Sequence, residues 1–279
     1  MMDTIAGNYA WHGDVRIAFE VEGTGDPLVL LCGFSQSRDV WREAGFVDAF
    51  IRNGRKLVLV DPRGHGQSDK PHEPAAYEPE LEAGDVLAIL DDLAITKADI
   101  LGYSRGGVTA MELASRHPER CGLLVVGGAH PYDQDLSLYR QAIAEGLEAW
   151  VSIIEEHVGT LPESARAMFM ANDVEALRAA VALDRPDRSE ALSRSGVPML
   201  LYSGTKDPVC AAARSYAAAE GVPFLDLPGM NHMQAFFAVE QVVSAIAAAK
   251  KAQGFEPEPG DELSPIPDLV GEPHPRSFM

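Results

Sequence analysis

Cysteine is scarce: the 279 residues hold three, Cys32, Cys121 and Cys210, odd in number and far apart. That excludes a disulfide framework and a Cys/His zinc spacing, and it suits a reducing cytoplasm. Long apolar runs are missing too. No stretch reaches the roughly 18 residues that a membrane helix needs, so no membrane partner is expected. The first residues, Met1 to Ala6, have neither a basic n-region nor an apolar h-region, so no secretory signal is expected. Positive charge is the minority, 23 Lys and Arg against 42 Asp and Glu, for a net charge of −19. A phosphate backbone wants a basic surface, so nucleic acid is excluded as a partner and solubility is favoured. No H-E-x-x-H motif or Cys/His cluster occurs, and neither a metal nor another cofactor is expected.

What is present is a regular alternation. Residues 15–22 alternate apolar and polar, the mark of a half-exposed strand. Continuous apolar runs at 27–31, 56–60, 98–101, 123–126, 199–202 and 224–227 read as strands, most of them buried on both faces. Helical spacing is expected over 41–53, 81–93, 108–115 and 239–251. Strands alternating with helices imply right-handed βαβ units and a mostly parallel sheet covered on both faces. The domain plan is a core of 1–130 and 196–253, interrupted by a helical insertion at 131–195. Within the insertion, helices are expected at 136–147, 149–157, 164–170 and 173–183. It is placed to sit over the strand ends as a cap. The segment 254–279 is acidic and proline-rich, and is expected to be extended or disordered.

In open α/β sheets, ligands bind beyond the carboxyl ends of the strands. Chemistry-bearing residues should therefore follow strands. The stretch Gly102-Tyr103-Ser104-Arg105-Gly106 lies between the 98–101 strand and the 108–115 helix. G-x-S-x-G at a strand-to-helix junction is the form of a nucleophile elbow. Its sharp turn leaves no room for a Cβ at either glycine. A serine needs a base, and among the eight histidines His232 follows the 224–227 strand directly. His65 and His130 also follow strands and are its rivals. Asp207, just past the 199–202 strand, is the carboxylate expected to orient His232; Asp133 and Asp135 are the weaker alternatives. The order Ser104, Asp207, His232 is that of the elbow hydrolases. Backbone N–H groups of Arg105 and Phe34 are the expected oxyanion donors, with Gly33 allowing close approach.

With these motifs the chain resembles the α/β-hydrolase superfamily over about residues 12–250. The segment Asp61-Pro62-Arg63-Gly64-His65-Gly66-Gln67-Ser68 looks like the D-x-R-G-x-G-x-S block of its small-substrate members, with Asp61 and Arg63 organising the loop. Gly204 to Pro208 and Asn231-His232 look like its acid and histidine motifs. In one place the chain departs from the pattern: Cys32-Gly33 stands where members usually carry His-Gly. What then orients that loop is left open.

The resemblance implies an α/β-hydrolase fold with a helical cap. It also implies a carboxylic ester hydrolase acting through an acyl-enzyme on a small to medium apolar acyl or aryl substrate. Such an enzyme gains activity as its base loses a proton, near the ordinary histidine pKa of about 6.5. The same residues could serve lactone or enol-lactone hydrolysis, C–C bond hydrolysis or perhydrolysis. From a different class, a slow-turnover receptor for a small ligand could use this fold. Phe34, Trp150, Met168, Phe169 and Met233 are the candidate substrate-binding residues, an apolar set suited to an acyl or aryl group. The Arg105 side chain could draw in an anion or lie in a salt bridge. A monomer and a homodimer are both compatible with the sequence.

Overall fold

The structure, a computed structural model, describes residues 8–252. The expected extended segment 254–279 lies outside the described residues. Eight strands form one sheet: β1 (Asn8–His12), β2 (Val15–Glu22), β3 (Asp26–Leu31), β4 (Arg55–Val60), β5 (Ala98–Tyr103), β6 (Cys121–Gly127), β7 (Met199–Gly204) and β8 (Phe224–Leu227). Their order is β1-β2-β4-β3-β5-β6-β7-β8. The β1–β2 and β2–β4 pairs are antiparallel and all the others are parallel. The mostly parallel α/β architecture expected from the alternation is present.

Both faces of the sheet are covered, which is why its strands read as continuous apolar runs. Successive residues point to opposite faces. Val29 and Leu31 join one core with Val86 and Ile89 of α3 (Pro79–Asp92), Val108 and Met111 of α4 (Arg105–Arg116) and Tyr216 of α10 (Cys210–Glu220). Leu28 and Leu30 join the other. There they meet Trp41 of α1 (Val40–Glu43), Phe46 and Phe50 of α2 (Phe46–Arg52), Phe236 of α11 (His232–Phe236) and Val242 of α12 (Val239–Ala252).

Five helices follow β6 before β7: α5 (Ser137–Ala144), α6 (Leu147–Val158), α7 (Glu163–Met170), α8 (Val174–Ala180) and α9 (Ser189–Ser195). α6 and α7 share a small core of Val151, Ile154 and Phe169. α9 behaves differently, placing Leu192 in the main core beside α4. The single helix expected over 41–53 is two: Gly45, at φ 90°, breaks it between α1 and α2. β1, α9, α10 and α11 add to the expected elements. Among the described residues, no helix is long and apolar enough to cross a membrane.

Candidate active site

The turn after β5 decides where Ser104 sits. Its φ of 54° is in the left-handed region, a conformation costing a non-glycine residue on the order of 1–3 kcal/mol. The surroundings enforce it. A Cβ on Gly102 would overlap the carbonyl oxygen of Gly106, and one on Gly106 would overlap that of Leu31. The strand and helix thus close on each other, and Ser104 is left half-buried at the start of α4. Its N–H donates to the carbonyl of Gly127, 2.8 Å away at the end of β6.

Asp207 and His232 come from the loops after β7 and β8. These loops are stitched together: Thr205 N–H donates to Leu227 at 3.0 Å and Lys206 N–H to Met230 at 2.9 Å. Gly204 presses against the Met230 carbonyl, where a side chain would collide. As a result His232 Nδ1 lies 2.7 Å from Asp207 Oδ2. Asp207 is buried and its carboxylate is fixed further by Ser203 Oγ at 3.2 Å and Val209 N–H at 3.1 Å. A carboxylate so held binds Nδ1–H and leaves Nε2 as the basic nitrogen. The His232 ring lies on Gly128, where an added Cβ would come within 2.9 Å of the ring's Cε1. Gly127 and Gly128 therefore carry Ser104 on one side and His232 on the other. Tyr103, next to the serine, donates its hydroxyl to the His232 carbonyl and fixes that residue's backbone.

The rival histidines are placed differently. His65 is fully buried with both nitrogens occupied: Nδ1 faces the Arg63 carbonyl and Nε2 accepts from Ser35 N–H, each at 3.0 Å. Burial, reinforced by Arg105, pushes its pKa down to about 4. It is a neutral strut. His130 keeps a buried Nδ1 without a partner, and burial lowers its pKa. Neither it nor His65 has a carboxylate within bonding distance.

The 32–37 loop explains how the chain manages without His-Gly. Gly33 N–H donates to Gln36 Oε1 at 3.0 Å. Ser35 takes a left-handed φ of 61°. Its N–H donates to His65, its hydroxyl accepts from Trp150 Nε1 at 2.8 Å and its carbonyl from Asn172 Nδ2 at 3.0 Å. The loop is thus held by His65 from the 61–68 loop and by Trp150 and Asn172 from the α5–α8 region. Gly33 packs beside Ser104, its would-be Cβ 3.5 Å from the serine Cβ. Among the described residues, no acceptor takes up the N–H of Phe34 or of Arg105. Cys32 is fully buried and burial drives its thiol well up, so it is an inert apolar group. Asp61 accepts from Arg38 N–H at 2.7 Å and Gln67 N–H at 2.8 Å, and Arg63 Nε holds Asp85 at 2.6 Å. Both organise the loop that carries His65.

The remaining sequence-derived residues fall into two groups. Phe34 and Trp150 meet edge-to-face at 5.4 Å, and Tyr139 joins both. Met233 is half-buried directly after His232, and Met168 packs between the body and α6. Phe169 is buried against Val151 and Ile154 and serves the core under α6 and α7. The Arg105 side chain is buried, paired with Glu82 and donating to the Ala180 carbonyl at 3.1 Å. That salt bridge holds it away from any incoming anion. Sequence reasoning missed Ser35, Gln36, Tyr139 and Asn172, which act through contacts between distant segments and carry no local motif. Among the described residues, no group of three or more His, Cys, Asp or Glu is placed to hold a metal ion.

Comparison with known proteins agrees with this fold. The family model described as alpha/beta hydrolase fold matches residues 26–157. A 2-hydroxy-6-oxononadienedioate/2-hydroxy-6-oxononatrienedioate hydrolase of Burkholderia vietnamiensis is 30% identical over 221 residues, covering 70% of this chain and 75% of that protein. A putative 2-succinyl-6-hydroxy-2,4-cyclohexadiene-1-carboxylate synthase of Bacillus subtilis is 32% identical over 154 residues. That match spans about half of each protein, 50% of this chain and 55% of the relative. A hydrolase from Pseudomonas aeruginosa of known structure superposes with a TM-score of 0.78 at 23% identity, covering 88% of this chain and 99% of that one. At that identity the likeness speaks for the fold.

Proposed function

Since this chain belongs to the α/β-hydrolase family, we propose that it is a serine hydrolase cleaving a carboxylic ester through an acyl-enzyme. The observation that carries the reading is the 2.7 Å contact between His232 Nδ1 and Asp207, with Ser104 held in a left-handed turn on the same Gly127-Gly128 corner. Ser104 Oγ attacks the ester carbonyl carbon while His232 Nε2 takes its proton. The N–H groups of Phe34 and Arg105 receive the developing oxyanion. Each such donor is worth roughly 10²–10³ in rate. The C–O bond then breaks, His232 returns the proton to the departing alcohol, and water repeats the sequence on the acyl-enzyme. Asp207 holds the imidazole in the required tautomer and stabilises its cation.

The Phe34, Tyr139 and Trp150 rings give an apolar wall suited to a small to medium acyl or aryl group. The 30% identity to the Burkholderia hydrolase supports a second reading, in which the same residues hydrolyse a C–C bond in an oxo acid.

The test is a panel of p-nitrophenyl esters of rising acyl length, assayed with wild type, Ser104→Ala and Asp207→Asn. Ser104→Ala should lose all measurable turnover, and Asp207→Asn about 10³–10⁴-fold in kcat. Unchanged turnover by Ser104→Ala would overturn the reading. Mass spectrometry of a slow ester should show the acyl group on the Ser104 peptide.

A further inference from the structure

Asp207 is a buried carboxylate with no fixed cation beside it. Among the described residues no Lys or Arg pairs with it, and its one ionic partner is His232. A charge so placed must be held by hydrogen bonds. Val209 N–H takes Oδ1 at 3.1 Å. Oδ2 is shared, between His232 Nδ1 at 2.7 Å and Ser203 Oγ at 3.2 Å.

Ser203 is an unusual residue for its place. It lies near the carboxyl end of β7, fully buried, on the same side of the strand as Leu201, which packs in the core that holds Ala213 and Ala217 of α10. An apolar, β-branched side chain suits such a position, whereas a hydroxyl buried there needs a partner. Its single proton has two acceptors in reach, Asp207 Oδ2 at 3.2 Å and the Gly204 carbonyl at 3.5 Å. The carboxylate is nearer and charged, and hydrogen bonds to charged groups are about twice as strong as neutral ones. The proton therefore goes to Asp207.

The other ionisable groups around the pair supply no competing positive charge. Tyr103 of β5, His130 after β6, Tyr139 of α5 and Cys210 of α10 feel the Asp207 charge. Burial pushes the phenols and the thiol up and His130 down, so all four are uncharged at neutral pH. Tyr202 of β7 is likewise pushed up by burial. On α6, which packs against α11, Glu148 and Glu155 are turned to Arg166, and Glu156 is exposed to water.

We propose that Ser203 is a positioning residue of the active site: its hydroxyl draws off part of the Asp207 charge and so limits how firmly that carboxylate holds the protonated imidazole of His232. The inference rests on the reading of His232 as the base. With the hydroxyl in place, His232 gives up its proton at a lower pH and activity reaches further into acid. Without it, the whole Oδ2 charge falls to His232, the imidazolium is better stabilised, and the proton stays on to a higher pH.

The test compares wild type with Ser203→Ala and with Ser203→Thr, which keeps the hydroxyl. The His232 Cε1 proton is followed by NMR against pH, assigned by its loss in His232→Gln. Its titration midpoint should rise by about 0.5–1 pH unit in Ser203→Ala, roughly a three- to tenfold change in the proton equilibrium, and return toward wild type in Ser203→Thr. The acid limb of kcat/KM for p-nitrophenyl butyrate should move by the same amount. In an Asp207→Asn background there is no charge to share, and Ser203→Ala should leave the midpoint where it is. An unchanged midpoint in Ser203→Ala, with or without a lowered Tm, marks a packing residue and overturns the inference. An equal rise in the Asp207→Asn background overturns it too. If Ser203→Ala does not fold, Ser203→Cys, close in size with a weak donor, carries the same expectation. If wild type cleaves no ester, the hydrolase reading fails and the NMR midpoint alone decides on Ser203.

Discussion

Ser35 ties three segments together. Its N–H reaches His65, its hydroxyl Trp150 and its carbonyl Asn172. In the proposed reaction these bonds aim the adjacent Phe34 N–H, which makes Trp150 a positioning residue as well as a wall of the pocket. Trp150→Phe keeps the ring and removes the bond to Ser35. Steady-state kinetics should show kcat down roughly 10-fold, the scale of one hydrogen bond, with KM nearly unchanged. An equal rise in KM instead would assign Trp150 to substrate contact alone. His65 leads to a stability prediction. Its pKa is about 4 when folded and about 6.5 when unfolded. Between these values the unfolded chain binds more protons, so stability is lost as pH falls from about 6.5 toward 4. The loss totals roughly 3 kcal/mol. Urea unfolding of wild type across that window should show it. In His65→Gln, less stable throughout, the slope against pH should be shallower. Parallel slopes would remove His65 as the cause.

At the level of elements, the elbow depends on two backbones meeting where no side chain fits. Gly106→Ala would drive a methyl into the Leu31 carbonyl on the neighbouring strand. Because both partners are main chain, nothing can swing aside. We expect a loss of several kcal/mol, read as insoluble expression or a sharply lower Tm. Gly45→Ala is the contrast, since nothing lies near its Cβ position; there the left-handed φ alone should cost about 1 kcal/mol. The parallel sheet was legible in the sequence because strands covered on both faces must be continuously apolar, as at 27–31 and 56–60. The elbow was legible because Gly102, Ser104 and Gly106 stand together at one strand-to-helix junction. β1 was not, since an edge strand with Trp11 exposed has no such run. α10 escaped because its core contacts are mostly alanines, Ala213 and Ala217, which leave a faint period. The Ser35 arrangement escaped for another reason. It depends on partners 30 to 137 residues away and leaves no mark in nearby sequence.

Over the whole molecule the net charge of −19 sets a background that no single pair cancels. Like charges repel most in the compact state, and salt screens them within about 10 Å at 0.1 M. Buried pairs such as Arg55 with Asp99 are screened far less. Raising NaCl from 10 to 200 mM should therefore lift Tm by a few degrees, measured by scanning calorimetry. A fall would mean that attractive surface pairs outweigh the repulsion. The bond from Trp150 to Ser35 has one more consequence, an optical one. The chain has three tryptophans: Trp11 exposed, Trp41 sealed in the core, and Trp150. Only the last donates its indole N–H into the loop beside Ser104. In a Trp11→Phe background, a change in emission on adding ligand would come from the indole that holds this loop. The protein thus carries its own fluorophore on the loop beside Ser104.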